Sequence, residues 1–242
     1  FLKGKIIAPL PSKFTKKLSE AQKLRKLCES KIKDPIIGFK AAGTGFSVMK
    51  KLNEKEPFYA SIFKKNFLKS GQKVKINKST FGIELEVCYL IKQSFFSSKG
   101  SITMKTVTKY ISYMAPCIEV IGYRQRKKGI TSFGDLCSDF GANVKFLIGQ
   151  KKRYKKINIG NLKTIIKNKR INQNVSGNTN TVYINPINSL RFVLNKLKKD
   201  KINLNKDFFV FTGSTVGVVP ILGKGLYEGK IDKLGSAKAK IV

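Results

Sequence analysis

Between residues 82 and 91 the chain alternates with a period of two. In Gly82-Ile83-Glu84-Leu85-Glu86-Val87-Cys88, an extended backbone puts Ile83, Leu85 and Val87 on one face and sets Glu84 beside Glu86 on the other. Such a strand must pack one face against a core. On its other face two like charges repel unless a cation lies between them, one is protonated, or both reach water. A third carboxylate, Glu119, lies in Ala115-Pro116-Cys117-Ile118-Glu119-Val120-Ile121, an apolar strand in which a lone ionised side chain is costly without a partner. Three carboxylates with no His or Cys at ligand spacing make a hard oxygen site suited to Mg²⁺ or Mn²⁺. The competing arrangement is an edge strand with Glu84 and Glu86 in solvent and Glu119 paired to a lysine.

Composition narrows the chemistry. The 242 residues contain no His, which removes the Ser-His-Asp triad, the Cys-His dyad, imidazole metal sites and the usual neutral-pH proton shuttle. With 41% apolar and 26% charged residues, the chain is neither a disordered tail nor a disulfide-stapled miniprotein. Lys and Arg outnumber Asp and Glu by 49 to 14, a net charge of +35. Only six of these basic residues are Arg, and no aromatic platform accompanies them, so specific nucleic-acid readout is not expected, although such a charge draws polyanions at low salt. The densest basic clusters are at residues 124–128 and 151–156. Cys28, Cys88, Cys117 and Cys137 sit in apolar runs without C-x-x-C pairing and read as free buried thiols of a reducing compartment. No apolar stretch approaches the roughly 18 residues of a membrane span, and Phe1 to Lys5 lack a signal-peptide layout, so a cytoplasmic location is expected.

The periodicity predicts helices over 15–31 behind a Thr15 cap, over 132–140 behind a Ser132 cap, and from Asn185-Pro186 onward, where Ile187, Leu190, Leu194 and Leu197 form one stripe. Strands are predicted at 35–40, 73–77, 82–91, 101–108, 115–121, 144–149, 208–212 and 237–242. The polar stretch from Lys167 to Asn180 reads as a surface loop. Strands in the middle and helices at the flanks indicate an α+β, mixed β-rich fold in one catalytic domain, 1–242, with a helical lead-in over 1–34 and a β-rich core over 35–242. Gly217 to Lys224 imitates a phosphate loop, but Gly225 stands where a Ser or Thr is required, so it reads as a turn.

Several of these segments, taken in order, carry a resemblance. Gly38-Phe39-Lys40, Glu84-Leu85-Glu86, Ile118-Glu119-Val120 with Arg124 five residues on, Phe211-Thr212-Gly213-Ser214 and Lys233-Leu234-Gly235-Ser236 follow one another as in the 2-keto-4-pentenoate hydratase branch of the fumarylacetoacetate hydrolase superfamily. The resemblance runs from about residue 8 to the C-terminus. It implies the superfamily's β-rich roll with flanking helices. It also implies that Glu84, Glu86 and Glu119 hold Mg²⁺ or Mn²⁺, that Lys40 faces the substrate, and that the chain forms a homo-oligomer. Three departures concern the far end of the substrate more than the metal: Ala41-Ala42-Gly43 follows Lys40, Asp139 is followed by Phe140, and Gly122 stands where an acid is common.

The hydrolase branch, as the resemblance implies, activates water with a His-Glu pair that this chain lacks. The expected activity is therefore a metal-dependent hydratase, a lyase acting on a 2-keto or 2-hydroxydienoic acid. A 2-keto diacid decarboxylase of the 4-oxalocrotonate type is the first alternative, and a non-enzymatic basic nucleic-acid binder on the same scaffold the second. Lys40 is expected to orient substrate or move a proton, the latter requiring a pKa lowered toward neutrality. The backbone and hydroxyls of Thr212, Gly213 and Ser214 are expected at the substrate carboxylate. The expected partners are a small-molecule 2-keto acid and further copies of the chain.

Overall fold

The computed structural model describes residues 5–125, 129–155 and 157–242. Its strands are β1 (Ile36–Ala42), β2 (Phe58–Phe63), β3 (Phe67–Lys69), β4 (Lys73–Val74), β5 (Thr80–Ile91), β6 (Ile111–Gly122), β7 (Asn143–Ile148), β8 (Lys152–Arg153), β9 (Lys163–Asn168), β10 (Gln173–Asn178), β11 (Phe208–Ser214), β12 (Val219–Pro220), β13 (Gly225–Ile231) and β14 (Gly235–Ile241). The helices are α1 (Ser12–Thr15), α2 (Leu18–Ser30), α3 (Phe46–Lys51), α4 (Phe133–Ser138) and α5 (Pro186–Lys199). A mixed sheet runs β2-β1-β11-β5-β6-β7-β3, with β12 on β5 and β8 on β6; a second sheet runs β10-β9-β13-β14-β4. This is the mixed, β-rich α+β architecture expected. Among the described residues no helix is long and apolar enough to cross a membrane.

The alternation in β5 decides which sheet face meets which core. Ile83, Leu85, Val87, Tyr89 and Ile91 are fully buried, in one large cluster with Ile118 and Val120 of β6 and with Tyr227, Ile231, Ala237, Ala239 and Ile241 of the second sheet. Each aliphatic side chain so buried contributes roughly 1.5–3 kcal/mol against leaving it in water. Leu85 fits because Gly229 faces it: a Cβ there would stand 2.6 Å from Leu85 Cδ1. Helix α5 adds Leu190, Val193, Leu194 and Leu197 to the same core, its start fixed by the Asn185 side chain, which accepts from the Asn188 N–H at 2.9 Å. The opposite face of β5 and β6 carries Cys88, Ala115 and Cys117, packed with Ile62, Phe146 and Phe211 in a smaller cluster. The three acidic side chains lie on that face.

Several sequence expectations need correction. Residues 101–108 form no strand: Thr103 and Thr106 bond each other's backbone and hydroxyls, and a short 3₁₀ turn, Val107–Tyr110, follows. The stretch 167–180 is largely a hairpin, with β9 and β10 paired in register around Asn172 in the left-handed region (φ 50°). Its outward residues are polar because that face meets water, which disguised a strand as a loop. Thr15 is buried at the end of α1 and does not cap α2, whose first flanking residue is Lys17 without a side-chain bond. Helix α4 stops at Ser138, while Ser132 caps it as expected, accepting from the Asp135 N–H at 3.0 Å. The strand expected over 73–77 is only Lys73–Val74. Cys28 is half-buried rather than buried, and all four cysteines are free. The opening residues 1–4 and parts of the basic clusters at 124–128 and 151–156 lie outside the described residues.

Candidate metal centre

Strands β5 and β6 pair antiparallel with Glu84 directly opposite Glu119 and Glu86 opposite Cys117. Two residues along one strand and one across the ladder therefore point the same way. One carboxylate oxygen from each of Glu84, Glu86 and Glu119 lies within 4.8 Å of the others. Glu86 and Glu119 are fully buried, and Glu84 is partly exposed to the cavity it lines. Strand β5 is central, between β11 and β6, so the edge-strand arrangement with solvated acids does not occur.

The neighbours of this cluster are few. Gly213 donates its N–H to Glu86 Oε2 at 2.8 Å. That N–H is available because the β11–β5 register shifts between Phe211 and Ser214, with Gly213 at φ +105°. Only glycine fits there: a Cβ would stand 2.0 Å from Thr44 Oγ1. Lys40, near the end of β1, donates to Glu119 Oε1 at 2.5 Å and to the Gly141 carbonyl at 3.0 Å. The remaining oxygens, Glu86 Oε1 and Glu119 Oε2, are buried, and no donor from outside the cluster reaches them, the two carboxyls bonding each other when one is protonated. Buried carboxylate oxygens without an outside donor are rare, and two that converge with a third carboxylate fit a hard divalent cation. Glu84, Glu86 and Glu119 are the residues that would hold it.

The electrostatics agree. Burial pushes the Glu84 carboxyl up to about 7, with Lys40 pulling the other way and Glu119 adding to the rise. Burial also raises Glu86 well above the carboxylate range, Glu119 adding to it, against Lys40 and the Gly213 N–H. Glu119 is raised by burial despite Lys40 and Arg124. For Lys40, burial favours the neutral amine, but Glu119, Glu84 and Glu86 outweigh it and hold the ammonium above its ordinary value. The lowering of Lys40 that proton transfer would require is not found. Without a cation the cluster retains protons; a divalent ion would displace them.

A positioning device was not legible in the sequence. Arg124, buried at the end of β6, donates from its backbone N–H to Asp139 Oδ2, from Nε to Asp139 Oδ1, from Nη2 to the Asp139 carbonyl and from Nη1 to the Asn143 carbonyl. Between those two residues run Phe140, Gly141 and Ala142, all at positive φ. Arg124 thus straps a strained turn, and that turn presents the Gly141 carbonyl to Lys40. Of the residues expected at the substrate, Gly213 and Ser214 line the cavity, while the Thr212 hydroxyl is turned to the Val87 carbonyl at 2.9 Å, within the sheet.

Of the cluster, Glu84 lines a cavity of about 870 Å³, together with Lys40, Thr44, Gly213 and residues of α3. The fold resembles those of solved structures at low identity. The chain aligns over its full length with 92% of 4-oxalocrotonate decarboxylase from Pseudomonas putida G7, complexed with magnesium and adipate, at a TM-score of 0.84 and 19% identity. It aligns over 86% of its length with 91% of fumarylpyruvate hydrolase from Pseudomonas aeruginosa in complex with Mn²⁺ and pyruvate, at a TM-score of 0.64 and 12% identity. Maleylpyruvate hydrolase from Sphingobium follows at 0.56 and 11%, over 86% of this chain and 71% of that one. No protein-family model and no curated protein matches the chain in sequence. These likenesses establish the fold.

Proposed function

We propose that this chain is a divalent-metal-dependent enzyme of the fumarylacetoacetate hydrolase superfamily, a hydro-lyase adding water to a 2-hydroxydienoic or 2-keto-enoic acid such as 2-keto-4-pentenoate. The observation that carries the reading is the convergence of Glu84, Glu86 and Glu119, with two buried oxygens that no donor from outside the cluster reaches, beside a cavity that Glu84 and Lys40 line. Further support comes from two structures of the same fold, which hold magnesium with adipate and Mn²⁺ with pyruvate. Mg²⁺ or Mn²⁺ held by these residues would supply Lewis-acid chemistry toward negative charge that grows on a substrate oxygen.

The chain's own residues do the rest. Glu84, Glu86 and Glu119 fix the position of that charge, and the Gly213 N–H keeps Glu86 from rotating away. Lys40 holds its proton at Nζ and places a positive charge beside the site, so it attracts and orients an acid's carboxylate. The backbone at Gly213 and Ser214 borders the same space. The absence of His from the sequence favours a lyase over water-activating C–C hydrolysis.

The second reading, decarboxylation of a 2-keto diacid, is favoured by the full-length likeness to a decarboxylase. Incubating the Mg²⁺-loaded protein with 2-hydroxypentadienoate and, separately, with 4-oxalocrotonate tests both. Hydration of the former without carbon dioxide release from the latter supports the hydratase; the reverse supports the decarboxylase. Inertness toward both with Mg²⁺ and with Mn²⁺ would end the proposal.

A further inference from the structure

The wall beyond the carboxylates carries an inference about the substrate's far end, and it rests on the metal-site reading. One step along β6 from Glu119, on the same face, is Ile121; one step along β5 from Glu84 is Gly82, and these two are register partners. The space a side chain would take at Gly82 is filled: a Cβ there would stand 2.7 Å from Val218 Cγ1 and 3.3 Å from Ile121 Cδ1. The metal ligands are thus followed, one pleat on, by an apolar platform of Ile121 and Val218, with Phe81 beside it. The same cavity is lined by Phe46 and Val48 of α3 and by Leu52 just after it. Phe46, Val48, Phe81 and Val218 are large apolar side chains left between 41% and 52% exposed around one opening. Apolar surface gathered at a cavity mouth marks a place where something apolar sits.

Charge points the same way. In a chain with 49 basic residues, the charged side chains lining this cavity among the described residues are Lys40, Glu84 and Lys51. Lys40 is engaged by Glu119 and the Gly141 carbonyl, and Lys51 lies exposed at the end of α3. Among the described residues, a second carboxylate at the substrate's far end would meet exposed Lys51 and the neutral groups of Ser47, Asn180 and Thr181, with no second buried cation to receive it. Volume adds to the argument. About 870 Å³ lies toward the upper end of the roughly 300–1,000 Å³ of sites for drug-sized ligands, ample for more than a five-carbon acid.

We infer that the substrate is a 2-keto monocarboxylate with a bulky alkyl or aryl tail, seated against α3 and the Ile121–Val218 platform. The head anchors at the carboxylate cluster and Lys40, and the tail covers the exposed apolar rim.

Calorimetric binding to the full chain with Mg²⁺ tests this, using pyruvate as head alone, 2-oxoglutarate as head with a distal carboxylate, and 4-phenyl-2-oxobutanoate as head with an aryl tail. The phenyl acid is expected to bind about tenfold or more tighter than pyruvate, the factor that 1.4 kcal/mol represents, and 2-oxoglutarate no tighter than pyruvate. In Val218→Asp and in Val48→Asp, the ratio of phenyl-acid to pyruvate affinity should fall by about tenfold. Both positions are about half exposed, and the wild-type series decides alone if a variant does not fold. Pyruvate binding with no gain from the phenyl tail, or tighter 2-oxoglutarate binding, overturns the apolar subsite and leaves the metal site standing. A changed oligomeric mass in Val48→Asp with an unchanged affinity ratio assigns the rim to contact between copies and also overturns it. Failure of every head to bind with Mg²⁺ overturns the metal-site reading, and the tail inference with it.

Discussion

Glu86 accepts one hydrogen bond from outside the cluster, leaves one oxygen that no outside donor reaches, and lies in a site whose burial favours its neutral form. Glu86→Gln keeps the Gly213 contact and the side-chain volume, so the fold should survive while divalent-ion affinity drops by at least about tenfold, a loss of 1.4 kcal/mol or more. Calorimetric Mg²⁺ titration checks it, and unchanged affinity would remove Glu86 from the site. Lys40 tests a different role. Its ammonium competes with a divalent ion for Glu119, so Lys40→Met should bind Mg²⁺ at least as tightly as the parent while turnover falls by about 100-fold, as expected when a substrate loses the charge that orients it. Weaker Mg²⁺ binding in that variant would contradict the competition. The pH dependence has a definite sign. Glu84 titrates near 7 in the folded chain against 4.5 for an ordinary glutamate, so the folded state binds the extra proton between those values. Its contribution to stability is therefore present below about pH 4.5 and lost as pH rises through about 7. In EDTA, the melting temperature of the parent should fall relative to that of Glu84→Gln between pH 5 and pH 8, and Mg²⁺ should restore it at pH 8. A difference that does not move with pH would refute the assignment.

At the level of elements, the site is a property of one strand pair and two irregularities beside it. Strands β5 and β6 supply the acids, the bulge at Gly213 supplies the N–H, and the Arg124 strap on residues 139–143 supplies the carbonyl for Lys40. Arg124→Ala should destabilise the chain by about 3–5 kcal/mol, the cost of leaving a buried partner such as Asp139 unpaired. A denaturant midpoint unchanged from the parent would show that the strap contributes nothing to stability. The two strands were legible because acids in an apolar, period-two run are costly and therefore conspicuous: residues 82–91 and 115–121 fell within β5 and β6, alternation set Glu84 beside Glu86, and Glu119 joined them only through the resemblance, since the pairing of the two strands could not be read from the residues. Other parts were not legible, for physical reasons. The β9–β10 hairpin has a solvent face of Asn, Lys and Ser, so hydropathy concealed it. The Arg124 strap joins residues whose contact depends on a left-handed turn, which local propensity does not announce at Phe140 or Ala142. The direction of the Lys40 shift depends on three carboxylates from other strands, which no inspection of residues 35–45 could weigh.

At the scale of the whole molecule, a large core under β5 and β6 and a smaller one above them place the carboxylates between packed layers, with the cavity that Glu84 lines beside them. The +35 charge is carried mostly by lysines outside that cavity, so it sets the long-range attraction for acids, while the lining decides which acid stays. A homo-oligomer is the assembly we propose, and light scattering after size exclusion should give a multiple of 27.1 kDa; a single 27.1 kDa species would exclude it. The central claim is that three glutamates from two neighbouring strands share one divalent cation. Anomalous diffraction from a crystal soaked in Mn²⁺ tests this most directly. A single strong peak within coordination distance of an oxygen from each of Glu84, Glu86 and Glu119 is the result expected. A map with no peak there, or with those oxygens turned apart around an empty centre, would contradict it.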